Sequence, residues 1–80
     1  MTYVNEEVDV NAFYFAGKDM RSFPRQISFG GRAVKFADGL RVSLATDGKL
    51  TYLFNMLAEG GEGVYCLRQD GSQWTLVGTR

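Results

Sequence analysis

Residues 32–57 read RAVKFADGLRVSLATDGKLTYLFNML, three apolar runs divided by Asp38-Gly39 and by Asp47-Gly48. Asp-Gly accepts the positive φ that a type I′ turn requires, so each pair reads as a hairpin tip. Within the runs the side chains alternate as a half-buried strand demands. Val34 and Phe36 fall on one side of Lys35, and Leu40, Val42 and Leu44 fall on one side of Arg41 and Ser43, which are expected to be wet. In Lys49–Leu57, Leu50, Tyr52, Phe54 and Met56 share a face while Leu53 and Leu57 occupy the other, as in a strand that bends through a barrel or lies between two layers. A helix over Tyr52–Glu59 competes, because Leu53, Met56 and Leu57 also fall at helical spacing. Asp47-Gly48 before it and Gly60-Gly61 after it frame a strand-length segment, which favours the strand.

Outward from this core stretch, Asp70-Gly71 separates Val64–Gln69 from Gln73–Val77 as a third hairpin. Upstream, Ala12–Ala16 is a short aromatic strand, and Phe23, Ile27 and Phe29 share the parity of a second one that ends at Gly30-Gly31. Pro24 has no amide hydrogen and belongs at the start or edge of that strand. Residues 1–7 are polar and acidic and are expected to fray, while Val8 and Val10 alternate so as to extend the first strand. The expectation is a single all-β domain over residues 1–80. It is a small antiparallel meander of about five to seven strands, curled into an SH3-like barrel or packed as a minimal sandwich, with the barrel favoured.

Eighty residues support one core. A chain this short buries only about 60% of the surface its unfolded form exposes, so core is the default for every aromatic, Trp74 included, its indole N–H finding an acceptor at the rim. Cys66 is the single cysteine. It excludes an internal disulfide, and its alternation with Val64 reads as a small buried hydrophobe. No disulfide framework and no secretory n-region or h-region point to a cytoplasmic protein, and no apolar stretch approaches the roughly 18 to 20 residues that cross a bilayer, so no membrane partner is expected.

The chain has no histidine. That removes the usual general base and the commonest metal ligand, and one cysteine cannot supply a zinc site; no enzyme, metal or cofactor is expected. Asp38, Asp47 and Asp70 are accounted for as turn residues, which leaves only Glu6, Glu7, Asp9 and Asp19 for a paired-carboxylate site, a disfavoured option. Gly60-Gly61-Glu62-Gly63 and Gly17-Lys18-Asp19 lack the spacing of a phosphate loop.

The leading functional expectation is therefore a non-catalytic protein-interaction module. It acts through an exposed sheet edge, left open by the strand near Pro24 and by the fraying N-terminus, either by self-association as a homodimer or by docking on a larger protein partner. The second is nucleic-acid or polyanion binding through residues 18–41, where Lys18, Arg21, Arg25, Arg32, Lys35 and Arg41 lie among Phe23 and other rings against only Asp19 and Asp38. The zero net charge works against long-range attraction to such a partner.

Overall fold

Positive φ angles mark where this chain reverses. Asp47 (φ 52°) and Gly48 (φ 76°) form a type I′ tip, and Gly30 (φ 60°) and Gly31 (φ 76°) form another. Between the reversals a computed structural model, which describes residues 1–61 and 63–80, contains six strands: β1 (Thr2–Ala16), β2 (Arg21–Phe29), β3 (Arg32–Thr46), β4 (Lys49–Ala58), β5 (Val64–Asp70) and β6 (Gln73–Thr79). Glu62, within the glycine-rich connection, lies outside the described residues. Tyr52–Ala58 is strand, and Glu59–Gly61 after it is a turn in which Gly60 (φ 76°) and Gly61 (φ 73°) take left-handed conformations.

Each strand pairs antiparallel with the next, and β6 returns to β1, from Thr2 opposite Thr79 to Val8 opposite Trp74. The result is a closed barrel and not a sandwich. Residues 1–7, where the polar composition suggests fraying, enter β1 and lie along β6. Two long strands make the closure possible. β1 gives its first half to β6 and its second half to β2, and β3 gives Arg32–Lys35 to β2 and Phe36–Thr46 to β4. β1 is irregular between Tyr3 and Glu6, between Val10 and Ala12 and between Ala12 and Phe13, and β3 between Phe36 and Asp38, since an extra residue on one strand kinks it and strengthens its twist.

Inside, Ile27, Phe36, Phe54, Met56, Leu67 and Leu76 are fully buried, one or two from every strand except β1, which adds Val8. Trp74 is buried with them and packs its ring 5.1 Å from Phe54, as the core reading of its aromatic bulk requires. The tilted Phe36–Tyr65 pair at 5.6 Å fills the other end. No buried side-chain nitrogen or oxygen lacks a hydrogen-bond partner among the described residues.

Four local expectations change. Core does not take every aromatic, since Tyr3, Phe13 and Phe15 are exposed on β1. Asp38-Gly39 is not a hairpin tip; it lies inside β3, where Phe36 faces Ala58 and Asp38 faces Leu57, so that Ala37 is the extra residue of a β-bulge. Asp70-Gly71 is displaced by one position: Asp70 pairs with Gln73, and the turn is Gly71-Ser72, with Gly71 at φ 60° in the first central position of a type II′ turn. Cys66 is half-buried on the outer face, because Tyr65 and Leu67 take the inward positions of β5, and its thiol donates to Asn55 Oδ1 at 2.9 Å.

Gly78, buried in β6, sits against the Thr2 carbonyl oxygen, and a Cβ there would press on that backbone atom and on the Met1 side chain. Gly78→Ala is expected to lower stability by about 1–3 kcal/mol, the usual range for overpacking, by forcing the β1–β6 seam apart. Urea denaturation checks this, and a midpoint equal to that of the wild type contradicts it.

Candidate functional site

The β2–β3 ladder stops at Gln26 opposite Lys35. Beyond it, β2 over Arg21–Arg25 and β3 over Asp38–Thr46 each lack a strand on one side among the described residues. Antiparallel ladders alternate between pairs that exchange both backbone hydrogen bonds and pairs that exchange none. Thr46 and Lys49 close the two-residue tip and are a bonded pair, so Leu44, Val42 and Leu40 also bond to β4. Gly39, Arg41, Ser43 and Ala45 then direct their N–H and C=O groups to the open side. Gly39 bears this out twice. Its N–H is held by its neighbour's carboxylate, Asp38 Oδ1, at 2.8 Å, and a Cβ on it would strike the Met56 sulfur, the close approach expected of a pair without hydrogen bonds.

The two open edges differ in chemistry. That of β2 carries Arg21, Pro24 and Arg25, the charges and missing donor with which proteins blunt an edge. Along β3 from Gly39 to Ala45 there is no proline and no lysine, and the one cation, Arg41, folds inward with its guanidinium 4.0 Å from the Tyr52 ring centroid. The edge is left unprotected.

Beside it lies an apolar face. The bulge at Ala37 reverses the side-chain parity of β3, so Gly39 and Arg41 oppose the inward Met56 and Phe54 while Leu40, Val42 and Leu44 point outward. Leu40 is 72% exposed, and Val42, Leu44 and Leu57 are exposed as well, with Leu53 and Val64 half-buried among them. The face ends in polar borders. On one side the Thr51 hydroxyl and Arg68 Nε both donate to Asp70, at 2.8 and 2.9 Å, and these bonds hold its carboxyl below the usual range, Thr51 first and Arg68 second. On the other, Arg80 donates to Asn55 Oδ1 at 3.1 Å and flanks a shallow cavity of about 260 Å³ shared with Asp38, Leu40, Leu57 and Val64.

The basic residues of 18–41 divide into separate groups. Lys18, Arg21 and Phe23 line an open concavity of about 310 Å³ at the β1–β2 turn, where Arg21 is 3.5 Å from Asp19. Arg25 stands midway, 4.0 Å from Glu59 and 5.7 Å from the Tyr14 ring centroid, and Arg41 lies across the gap on Tyr52. Arg32, on β3 opposite Phe29, is at the other end of β2 from Arg21, about 26 Å of strand away, and Lys35 lies opposite Gln26. The unprotected edge of β3 and its apolar flank were missed because Asp38-Gly39 reads as a turn; the available signal was that Asp-Gly also suits a bulge, which would turn Leu40, Val42 and Leu44 outward.

Tyr14 on β1 stacks on Phe23 of β2, with ring centroids 5.4 Å apart. Burial pushes its phenol above the ordinary 10.0, the Asp38 carboxylate pushes it further, and Arg25 works against both. An acid whose folded pKa is raised contributes stability below its unfolded pKa, and that contribution is lost as pH rises through the folded value. Absorbance titration of the phenolates is expected to show a component above the ordinary tyrosine range that Tyr14→Phe removes; a wild-type titration without it contradicts the placement of Tyr14. Among the described residues no three His, Cys, Asp or Glu side chains group as metal ligands, and no helix is long and apolar enough to cross a membrane. Comparison with known proteins finds no matching family model, no matching curated relative and no matching solved structure.

Proposed function

We propose that this barrel is a non-catalytic binding module that takes up a strand of another polypeptide along the open edge of β3, from Gly39 to Ala45. The observation that supports this reading is the pairing of an unblunted edge with an exposed apolar stripe on the same strand. An added strand satisfies backbone groups that otherwise bond to water, each such bond contributing on the order of 1 kcal/mol. Leu40, Val42 and Leu44 supply cross-strand neighbours for alternate side chains of the incoming strand, and those contacts give the selectivity. The preferred ligand is therefore an extended segment with apolar residues at every second position.

Polyanion binding has less in its favour. Arg21 and Arg25 already have acidic neighbours, Arg32 and Lys35 stand away from Lys18, Arg21 and Arg41, and the net charge is zero. Its cations would need to converge to neutralise successive phosphates.

Ser43→Pro separates the edge from the fold, because the Ser43 N–H faces the open side and no β4 hydrogen bond is removed with it. In selection from displayed random peptides, the wild type is expected to enrich alternating apolar sequences at least tenfold over Ser43→Pro, with the two proteins giving the same circular dichroism. Equal enrichment on both proteins overturns the edge as the binding site.

A further inference from the structure

We infer that the strand this edge takes up is that of a second copy, forming a two-fold dimer in which β3 pairs antiparallel with β3 about Val42. The inference rests on the edge reading above and adds the identity of the partner. Residues 40–44, Leu-Arg-Val-Ser-Leu, have the same apolar and polar order in both directions about Val42. An antiparallel two-fold pairing needs this kind of self-complementary edge, because each residue meets its mirror position in the other copy.

The free backbone groups select the same centre. Hydrogen-bonded pairs can form only between Gly39, Arg41, Ser43 and Ala45, the residues whose N–H and C=O face outward from the hairpin. With the axis at Val42, Arg41 meets Ser43 of the second copy and Gly39 meets its Ala45, so every free group of the four is used. An axis at Arg41 leaves Ala45 unpaired and sets Leu44 against Asp38. An axis at Ser43 leaves Gly39 opposite the turn residue Asp47 and sets Leu40 against Thr46. Only the Val42 axis matches the hydrogen bonds and the side chains together: Leu40 beside Leu44 of the second copy, and Val42 beside Val42.

Charge places no obstacle in this register. Arg41 stays on Tyr52 at the inner side of the hairpin, beside the neutral Ser43 of the second copy. Asp38 holds the Gly39 N–H in the free protein at 2.8 Å and yields it to the Ala45 carbonyl on pairing. A parallel ladder sets the facing residues one position out of step, which a two-fold axis does not allow, whereas the antiparallel pairing is two-fold, uses the open β3 edge of each copy and ends at two copies. The joined surface is one short strand from each copy, so association is concentration-dependent and lies at the small end of interface sizes.

Cross-linking tests the register. Residues facing each other in a pair without hydrogen bonds have Cα atoms about 4.5 Å apart, inside the roughly 4.4–6.8 Å that a disulfide spans. In a Cys66→Ala background, Val42→Cys is expected to oxidise mostly to a disulfide dimer. Leu40→Cys and Leu44→Cys should each stay monomeric alone, yet form the mixed dimer when combined. Adding Ser43→Pro to Val42→Cys should reduce cross-linking at least tenfold with the circular dichroism unchanged. A Val42→Cys protein that remains monomeric, or Leu40→Cys that cross-links as readily alone as in the mixture, overturns the self-pairing. Peptide selection that still depends on Ser43 in that event leaves the edge reading standing with a foreign partner; selection that ignores Ser43 removes the edge reading itself.

Discussion

The extra residue at Ala37 is the constraint on which the rest of this molecule depends. Val34, Phe36, Leu40, Val42 and Leu44 all sit at even positions, and in an uninterrupted strand they would face the same way. The bulge breaks that run after Phe36. It keeps Val34 and Phe36 in the core, turns the three later apolar side chains to the outside, and swings the β3–β4 hairpin away from β2. Gly39 is part of the same device. It faces Met56 from the next inward position, and only a residue without a Cβ leaves room for that thioether.

Closure and opening are therefore linked. A barrel this small has few residues with which to fill its interior, and an aromatic chain runs through it from Tyr14 by Phe23 and Phe54 to Trp74, each ring packed on the next. With those rings in place the β2–β3 seam can be as short as the stretch from Phe29–Arg32 to Gln26–Lys35. The remaining halves of both strands are then left without neighbours. On β2 the open length is guarded by Arg21, Pro24 and Arg25; on β3 it is not, and the apolar stripe runs beside it. An edge with these properties is a hazard unless it has an occupant.

Much of this architecture could be read from the residues. Asp47-Gly48 and Gly30-Gly31 are turns by the conformations those residues accept, and the strand-length segment they help to frame overcame the helical spacing of Leu53, Met56 and Leu57. Where the fold departs from the local pattern, it does so because the pattern lacks its partners. Asp-Gly is suited to any place where the chain needs a small residue and a local carboxylate acceptor, so Asp38-Gly39 looks the same whether it makes a tip or accompanies a bulge. Reading it as a tip hid the parity reversal and with it the exposed face. Cys66 went the same way, since Val64 and Cys66 alternate equally well on either side of β5 and only the partners Asn55 and Leu57 decide between them. The basic segment illustrates the reverse limit: closeness along the chain placed Arg21 and Arg32 in one group, while a nine-residue strand holds them at opposite ends.

Amide hydrogen exchange of dilute protein, residue by residue along β3, tests the account most directly. If the bulge sets the alternation as described, the amides of Leu40, Val42 and Leu44 are protected by β4, while those of Arg41, Ser43 and Ala45 exchange at close to the rate of an open chain. Protection of Arg41, Ser43 and Ala45 with rapid exchange at Leu40, Val42 and Leu44, or uniform protection of all six in the dilute protein, contradicts the open edge on which the proposed function stands.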